Sequence, residues 1–269
     1  MAAGVVLAGI LGLAGWIYLS LRPEPQPDVA KAAQSTAARA ADRALTAQLD
    51  RQLDQLRAAL PWATYLGTTV ADSCSTGWVD HGFAITRQTW IPVTCSRATT
   101  VYEAFDGDFR PRLAQLDTAL AAAGWHPDWI GTPLYRGEHP GLVAAFDDAH
   151  RPPDDPTPSE SAAAAARPNV ARVRYAVPIS SDFVPPAGSR TTGQPSATVE
   201  VAQAPYLPLL DDGTAAHDVT LKYPSVKTSY YVDWQQYSRS QLTAAAYPAH
   251  GAVLAVSIGG YYNTSRARP

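Results

Sequence analysis

The run Ala252-Val253-Leu254-Ala255-Val256-Ser257-Ile258, closed by Gly259-Gly260, is nearly continuously apolar. A strand with so few polar positions is buried on both faces, so this run predicts a central strand. Its neighbours should then be half-buried, and the second half of the chain alternates with period two. Val173, Tyr175 and Val177 are set against Arg172 and Arg174; Ala197, Val199 and Val201 against Thr198 and Glu200. Val219, Leu221 and Tyr223 against Thr220 and Lys222, and then Tyr230, Val232 and Trp234, repeat the pattern. Each reads as a strand with one wet face, as in an antiparallel sheet. Ser238 to Tyr247 reads as a short helix between the last two strands.

Upstream, Tyr65–Val70 and Ile85–Val101 are rich in Thr, Val, Ile and aromatic residues and predict strands. Asp106-Gly107-Asp108 forms a turn, with Asp108 as an N-cap and Pro111 in the first turn of a helix. Leu113, Leu116, Leu120 and Ala123 line one face of that helix, and Gly124 ends it. Trp125–Leu134 and Gly141–Phe146 read as further strands. The fold class is therefore α+β: antiparallel sheet with helices packed on one face. Residues 62–150 and 170–269 form two α+β halves, each compatible with a ferredoxin-like arrangement or with one intimate domain. Between them, residues 151–169 hold five prolines and the Ala162–Ala166 run, and read as a linker or long loop.

The N-terminus is different. Met1 to Leu21 contains no Asp, Glu, Lys or Arg, and about 20 helical residues span the roughly 30 Å of a bilayer hydrocarbon core. Trp16 and Tyr18 suit the interface, and Arg22-Pro23 closes the segment. Residues 1–22 are thus read as a single-pass anchor whose partner is the lipid bilayer. Ser20-Leu21-Arg22-Pro23 is a poor cleavage site for a signal peptide. Gly4, Ala8 and Gly12 fall on one helix face at the spacing that lets two membrane helices meet, which allows a homodimer. Residues 23–61 read as a proline-rich spacer followed by a helical stalk over roughly 36–60. Leu45, Leu49, Leu53, Leu56 and Leu60 give that helix one apolar stripe, which docks on its own domain or on a second copy.

The chain holds two cysteines, Cys74 and Cys95, each in a strand-like region. An even, minimal count suits one disulfide in an oxidising compartment, worth ~3 kcal/mol in the chain-entropy account. It favours an extracytoplasmic domain, whereas the positive charges after the anchor, Arg22 and Lys31, favour the cytoplasm. The stretch from Thr86 to Trp125 carries Arg87-Gln88-x-Trp90, the Asp106-Gly107-Asp108 turn, a leucine helix and Gly124-Trp125. Over residues 62–148 it resembles uncharacterised membrane-anchored or secreted α+β proteins of high-GC Gram-positive bacteria. That resemblance implies an exported α+β domain and no particular activity.

Chemistry-bearing motifs are scarce. A net charge of −3 argues against a nucleic-acid face. There is no Gly-x-Ser-x-Gly elbow, no phosphate-binding glycine loop and no closely spaced His or Cys pair for zinc. No cofactor, metal or catalytic residue is assigned. A glycan-acting enzyme would need two carboxylates converging in a cleft, and Glu103, Asp106, Glu138, Glu200 and Asp233 are the candidates. Trp78, Trp90, Trp125, Trp129 and Trp234 could stack on a cell-wall polymer or simply fill the core. The expected function is a non-enzymatic binding or structural module of the envelope, with a protein partner or wall polymer. The alternatives are an envelope glycan enzyme, or an accessory subunit of a membrane complex facing the cytoplasm.

Overall fold

A computed structural model describes residues 25–79, 89–128, 141–178, 195–208, 229–235 and 237–263. Within them the elements run α1 (Val29–Ala33), α2 (Thr36–Ala59), β1 (Thr64–Ser75), β2 (Trp78–Val79), β3 (Thr89–Trp90) and β4 (Thr94–Phe105). Then come α3 (Phe109–Ala122), β5 (His126–Pro127), α4 (Leu142–Ala149), α5 (Pro158–Ala165) and β6 (Val170–Ala176). The chain closes with β7 (Ser196–Gln203), β8 (Ser229–Gln235), α6 (Arg239–Ala246) and β9 (Ala252–Asn263).

The apolar run at 252–258 is a central strand, as its composition requires. Strand β9 lies between β7 and β4 in a seven-stranded sheet of order β5-β6-β7-β9-β4-β1-β8, antiparallel at every pair. Leu254, Val256 and Ile258 enter the main core on one face, while Val253 and Ala255 enter a smaller core on the other. Burial on both sides is what removed polar residues from this strand. The α+β class is met, but the two expected halves do not form separate sheets. Strands β1 and β4 from the first and β6 to β9 from the second share this one sheet.

Helix α2 is the largest single contribution to the main core. Ser35 caps it, its side chain accepting the Ala38 N–H. Leu45, Leu49, Leu53, Leu56 and Leu60 are all buried against the sheet. Burying one leucine is worth about 1.5–3 kcal/mol, so the stripe holds the helix down along its whole length. The stalk expected at 36–60 is therefore not a stalk, because its apolar face belongs to the domain itself. Helices are also not confined to one face. Leu242 and Ala246 of α6 pack with Tyr102, Ala104, Val253 and Ala255 on the side opposite α2.

Three local readings are corrected. Residues 141–146, expected as a strand, begin α4. Both Asp117 oxygens accept backbone N–H groups there, Oδ1 from Leu142 (2.8 Å) and Oδ2 from Val143 (3.0 Å). A carboxylate at a helix N-terminus supplies the acceptors those donors lack, and this one comes from α3, which no local pattern reveals. The linker at 151–169 contains α5, started by a capping box in which Thr157 and Glu160 bond reciprocally. The long strand expected over 85–101 is divided: β3 and β4 flank Ile91-Pro92-Val93, and proline cannot donate to a ladder. The strand read over 125–134 is described only as the two residues of β5. Residues 85–88, 129–134 and the strand read at 219–223 lie outside the described residues, as does the anchor at 1–22. Among the described residues, no helix is long and apolar enough to cross a membrane.

Candidate functional site

Among the described residues, a dense group of ionisable side chains lies where α2 begins to cross the sheet. Strands β1 and β4 pair so that Cys74 faces Cys95 and Asp72 faces Arg97, on the same side of the sheet. The two cysteines are disulfide-bonded and fully buried, which bears out the pairing expected from their count. Strand β8 adds Asp233 opposite Asp72. The first turns of α2 add Asp42, and a bulge at the end of β9 turns Tyr262 inward.

Arg97 is the hub of this cluster. Its Nη1 donates to Asp72 Oδ2 (3.1 Å) and to Asp42 Oδ1 (3.4 Å), and its Nη2 lies 3.7 Å from Asp233 Oδ2. Asp72 is shut off from solvent, whereas Asp233 is well exposed, so the cluster reaches water on the β8 side. Tyr262 donates its hydroxyl to Asp72 Oδ1 (2.8 Å), and the Tyr262 hydroxyl oxygen lies 3.8 Å from Cys74 Sγ. Thr46 donates to Asp42 Oδ1 (3.2 Å).

Of the three carboxylates around this guanidinium, Asp72 is the one that water does not reach, so its charge is the costly one. Burial is the largest influence on Asp72 and raises its pKa to about 6, with the Asp42 charge adding to the rise. The Tyr262 hydrogen bond and Arg97 oppose the rise without cancelling it. Burial, then the Asp72 charge, pushes the Tyr262 hydroxyl far above the ordinary tyrosine range. The cluster therefore contains one carboxyl able to exchange a proton near neutral pH and one phenol locked in its protonated form. Among the described residues, no group of His, Cys, Asp and Glu is placed to hold a metal ion.

The carboxylates singled out in the sequence do not converge. Glu103 is buried beneath α2 with Arg57 Nε at 3.3 Å; burial raises its pKa and Arg57 partly offsets that. Glu200 is buried on the opposite face with Arg172 Nε at 3.6 Å. Asp106 lies past the end of β4, accepting from the Gly251 N–H (3.0 Å) and bonding to His250 Nδ1 (2.9 Å). The His250 bond is the main cause of its lowered pKa. Asp108 is the N-cap of α3 by position, but its side chain makes no capping bond. Asp233 alone joins a shared site. Glu138 lies outside the described residues.

The five tryptophans do not make one platform either. Trp125 is core, its Nε1 donating to Gln52 Oε1 (2.9 Å) and its ring set beside Tyr175. Trp234 sits on β8 with its ring edge-on to Tyr231 at 5.5 Å. Trp78 and Trp90 are register partners in the β2–β3 ribbon, and Trp90 is half-buried. Trp129 lies outside the described residues.

Compared with protein-family models, curated proteins and solved structures, the chain matches none. The site's reading rests on its own geometry. Asp42, Asp72, Arg97 and Tyr262 did not stand out in the sequence, although one signal was there. If Cys74 and Cys95 pair across antiparallel strands, the residue two before the first must face the residue two after the second. Those residues are Asp72 and Arg97, an acid against a base.

Proposed function

We propose that this chain is a single-pass, membrane-anchored extracytoplasmic domain serving as a non-enzymatic binding or structural module of the cell envelope. The observation that carries this reading is the Cys74–Cys95 bridge, which uses both cysteines of the chain and is buried between two central strands. Disulfides persist in oxidising compartments and are rare where thiol reductants act. The anchor itself is proposed from the uncharged apolar stretch Met1–Leu21. Glu103, Asp106, Glu200 and Asp233 lie apart, and the carboxylate that does meet Asp233 across Arg97, Asp72, is closed to solvent, which supports a binding role over hydrolysis of a glycan.

Acid-quenched cells expressing the chain, denatured and treated with a thiol-reactive polyethylene glycol, test the compartment. The bridge predicts no mass shift without reductant and two additions with it. Two additions without reductant contradict the reading and point to the cytoplasm-facing orientation.

A further inference from the structure

The domain's first described residue, Pro25, enters beside the start of β8, where Gln26 to Ala30 line a groove with Ser229 and Tyr230. Helix α1 follows, and Gln34 donates to the Tyr230 hydroxyl (2.9 Å). Because Ser229, Ser75, Thr94 and Asn263 are neighbours across the strands, the chain enters at one definite end of the sheet. Among the described residues of its strands, 73–79, 89–96, 229–232 and 259–263 contain no Asp, Glu, Lys or Arg, and Asp28 and Lys31 of the entering segment lie beside them. Ile91 and Tyr261 are exposed there, at 44% and 54%. The opposite end carries Arg57, Asp106, Asp108, Arg110, Arg112 and His250.

The distance to the membrane is set by what lies between the apolar stretch and Pro25. Only Arg22, Pro23 and Glu24 stand between Leu21 and Pro25, and four fully extended steps reach ~14 Å at most. The headgroup layer on one side of a bilayer takes up about 5–8 Å of that span. Helices α1 and α2 add no stand-off, because Val29, Ala32, Ala33 and the leucines of α2 belong to the core.

We infer that this end of the sheet, with Ile91 and Tyr261 exposed on it, rests on the lipid surface at headgroup depth. The inference depends on the proposed anchor at residues 1–21. Exposed aromatic and aliphatic side chains such as Tyr261 and Ile91 favour that interfacial layer. Lys31 on α1 and Arg39 in the first turn of α2, both exposed, outnumber the exposed Asp28 beside them and suit anionic headgroups.

The test uses the full chain reconstituted into vesicles of phosphatidylcholine and phosphatidylglycerol. With its native cysteines bridged, single variants Ile91→Cys, Tyr261→Cys and Tyr65→Cys each take one environment-sensitive fluorophore. All three sites are exposed, and Tyr65 lies at the far end of the sheet. Lipids carrying a nitroxide at the headgroup should quench the Ile91 probe, and also the Tyr261 probe, several-fold more than the Tyr65 probe. Equal quenching at the three sites, in protein that floats with the vesicles, overturns the inference and leaves the anchor standing. Protein that does not float overturns both. Should Ile91→Cys fail to fold, the Tyr261 and Tyr65 pair decides the matter alone.

Discussion

Arg97 on β4 lies directly across from Asp72 on β1, with its Nη1 3.1 Å from a carboxylate that no solvent reaches. The pair is two register positions from the disulfide, and the buried half of the sheet is held together at both positions. Removing the base alone leaves a buried acid without its counter-charge. Arg97→Met should therefore destabilise the chain by about 3–5 kcal/mol. Pairing it with Asp72→Asn should recover a large part of that loss. Denaturant unfolding of the three proteins measures this, and a single variant no worse than the double contradicts the hub role of Arg97.

The same acid gives a pH signature with a definite sign. In the fold Asp72 has its pKa raised from 3.8 to about 6, so the folded state holds its proton over a range where the unfolded chain releases it. Its contribution to stability is complete below about pH 4 and fades as pH rises through about 6. The melting temperature of the native chain minus that of Asp72→Asn should therefore grow as pH falls from 7 to 4. Asp106 and Asp147, whose pKa values are lowered by His250 and Arg110 respectively, pull the other way but are present in both proteins. A difference that stays flat or shrinks on acidification contradicts the placement of Asp72.

Helix α2 offers a direct comparison of a core helix with a stalk. Leu49 is fully buried, and Leu49→Ala should cost about 2–5 kcal/mol. Arg51, two residues along and exposed, should tolerate Ala within about 0.5 kcal/mol. Thermal unfolding distinguishes them, and equal, small effects would restore the stalk.

Asp117 joins three elements: it lies on α3, caps α4 through Leu142 and Val143, and accepts the Tyr175 hydroxyl of β6 at 3.1 Å. Gly141 leaves it room, since an added Cβ would stand 2.5 Å from Asp117 Oδ1. Asp117→Ala should cost about 1–2 kcal/mol, as other lost caps do. Amide exchange should accelerate at α4 more than at α2. Uniform acceleration across the chain, or none, is the contrary result.

Much of the sheet was legible because its signal is local. The apolar run at 252–258 and the alternation at 173–177 and 197–201 reflect burial on two faces or on one, and both orders of burial appear in the fold. The helix after Asp108 and the one after Ser238 were legible for the same reason. What stayed hidden depends on distant partners. Leu142–Phe146 is too short for its period to separate strand from helix, and the acceptor that decides it is Asp117, 25 residues away. The leucine stripe of α2 was plain, but a stripe names no partner; the sheet beneath it does. Helix α5 was missed although its signal, Thr157 with Glu160 three residues on, is local. The buried acid–base cluster was legible only through the cysteines. A lone aspartate at an inward position of a strand is ambiguous until the register places an arginine against it.

Topology remains the most direct measurement, because the compartment decides whether the bridge can persist and which ligands the domain meets. A reporter active only outside the cytoplasm and one fluorescent only inside it, each fused after Pro269, report the side on which the sheet lies. An extracytoplasmic domain predicts signal from the first fusion and none from the second, with both found in the membrane fraction. Fluorescence from the second fusion alone, or recovery of either in the soluble fraction, contradicts it.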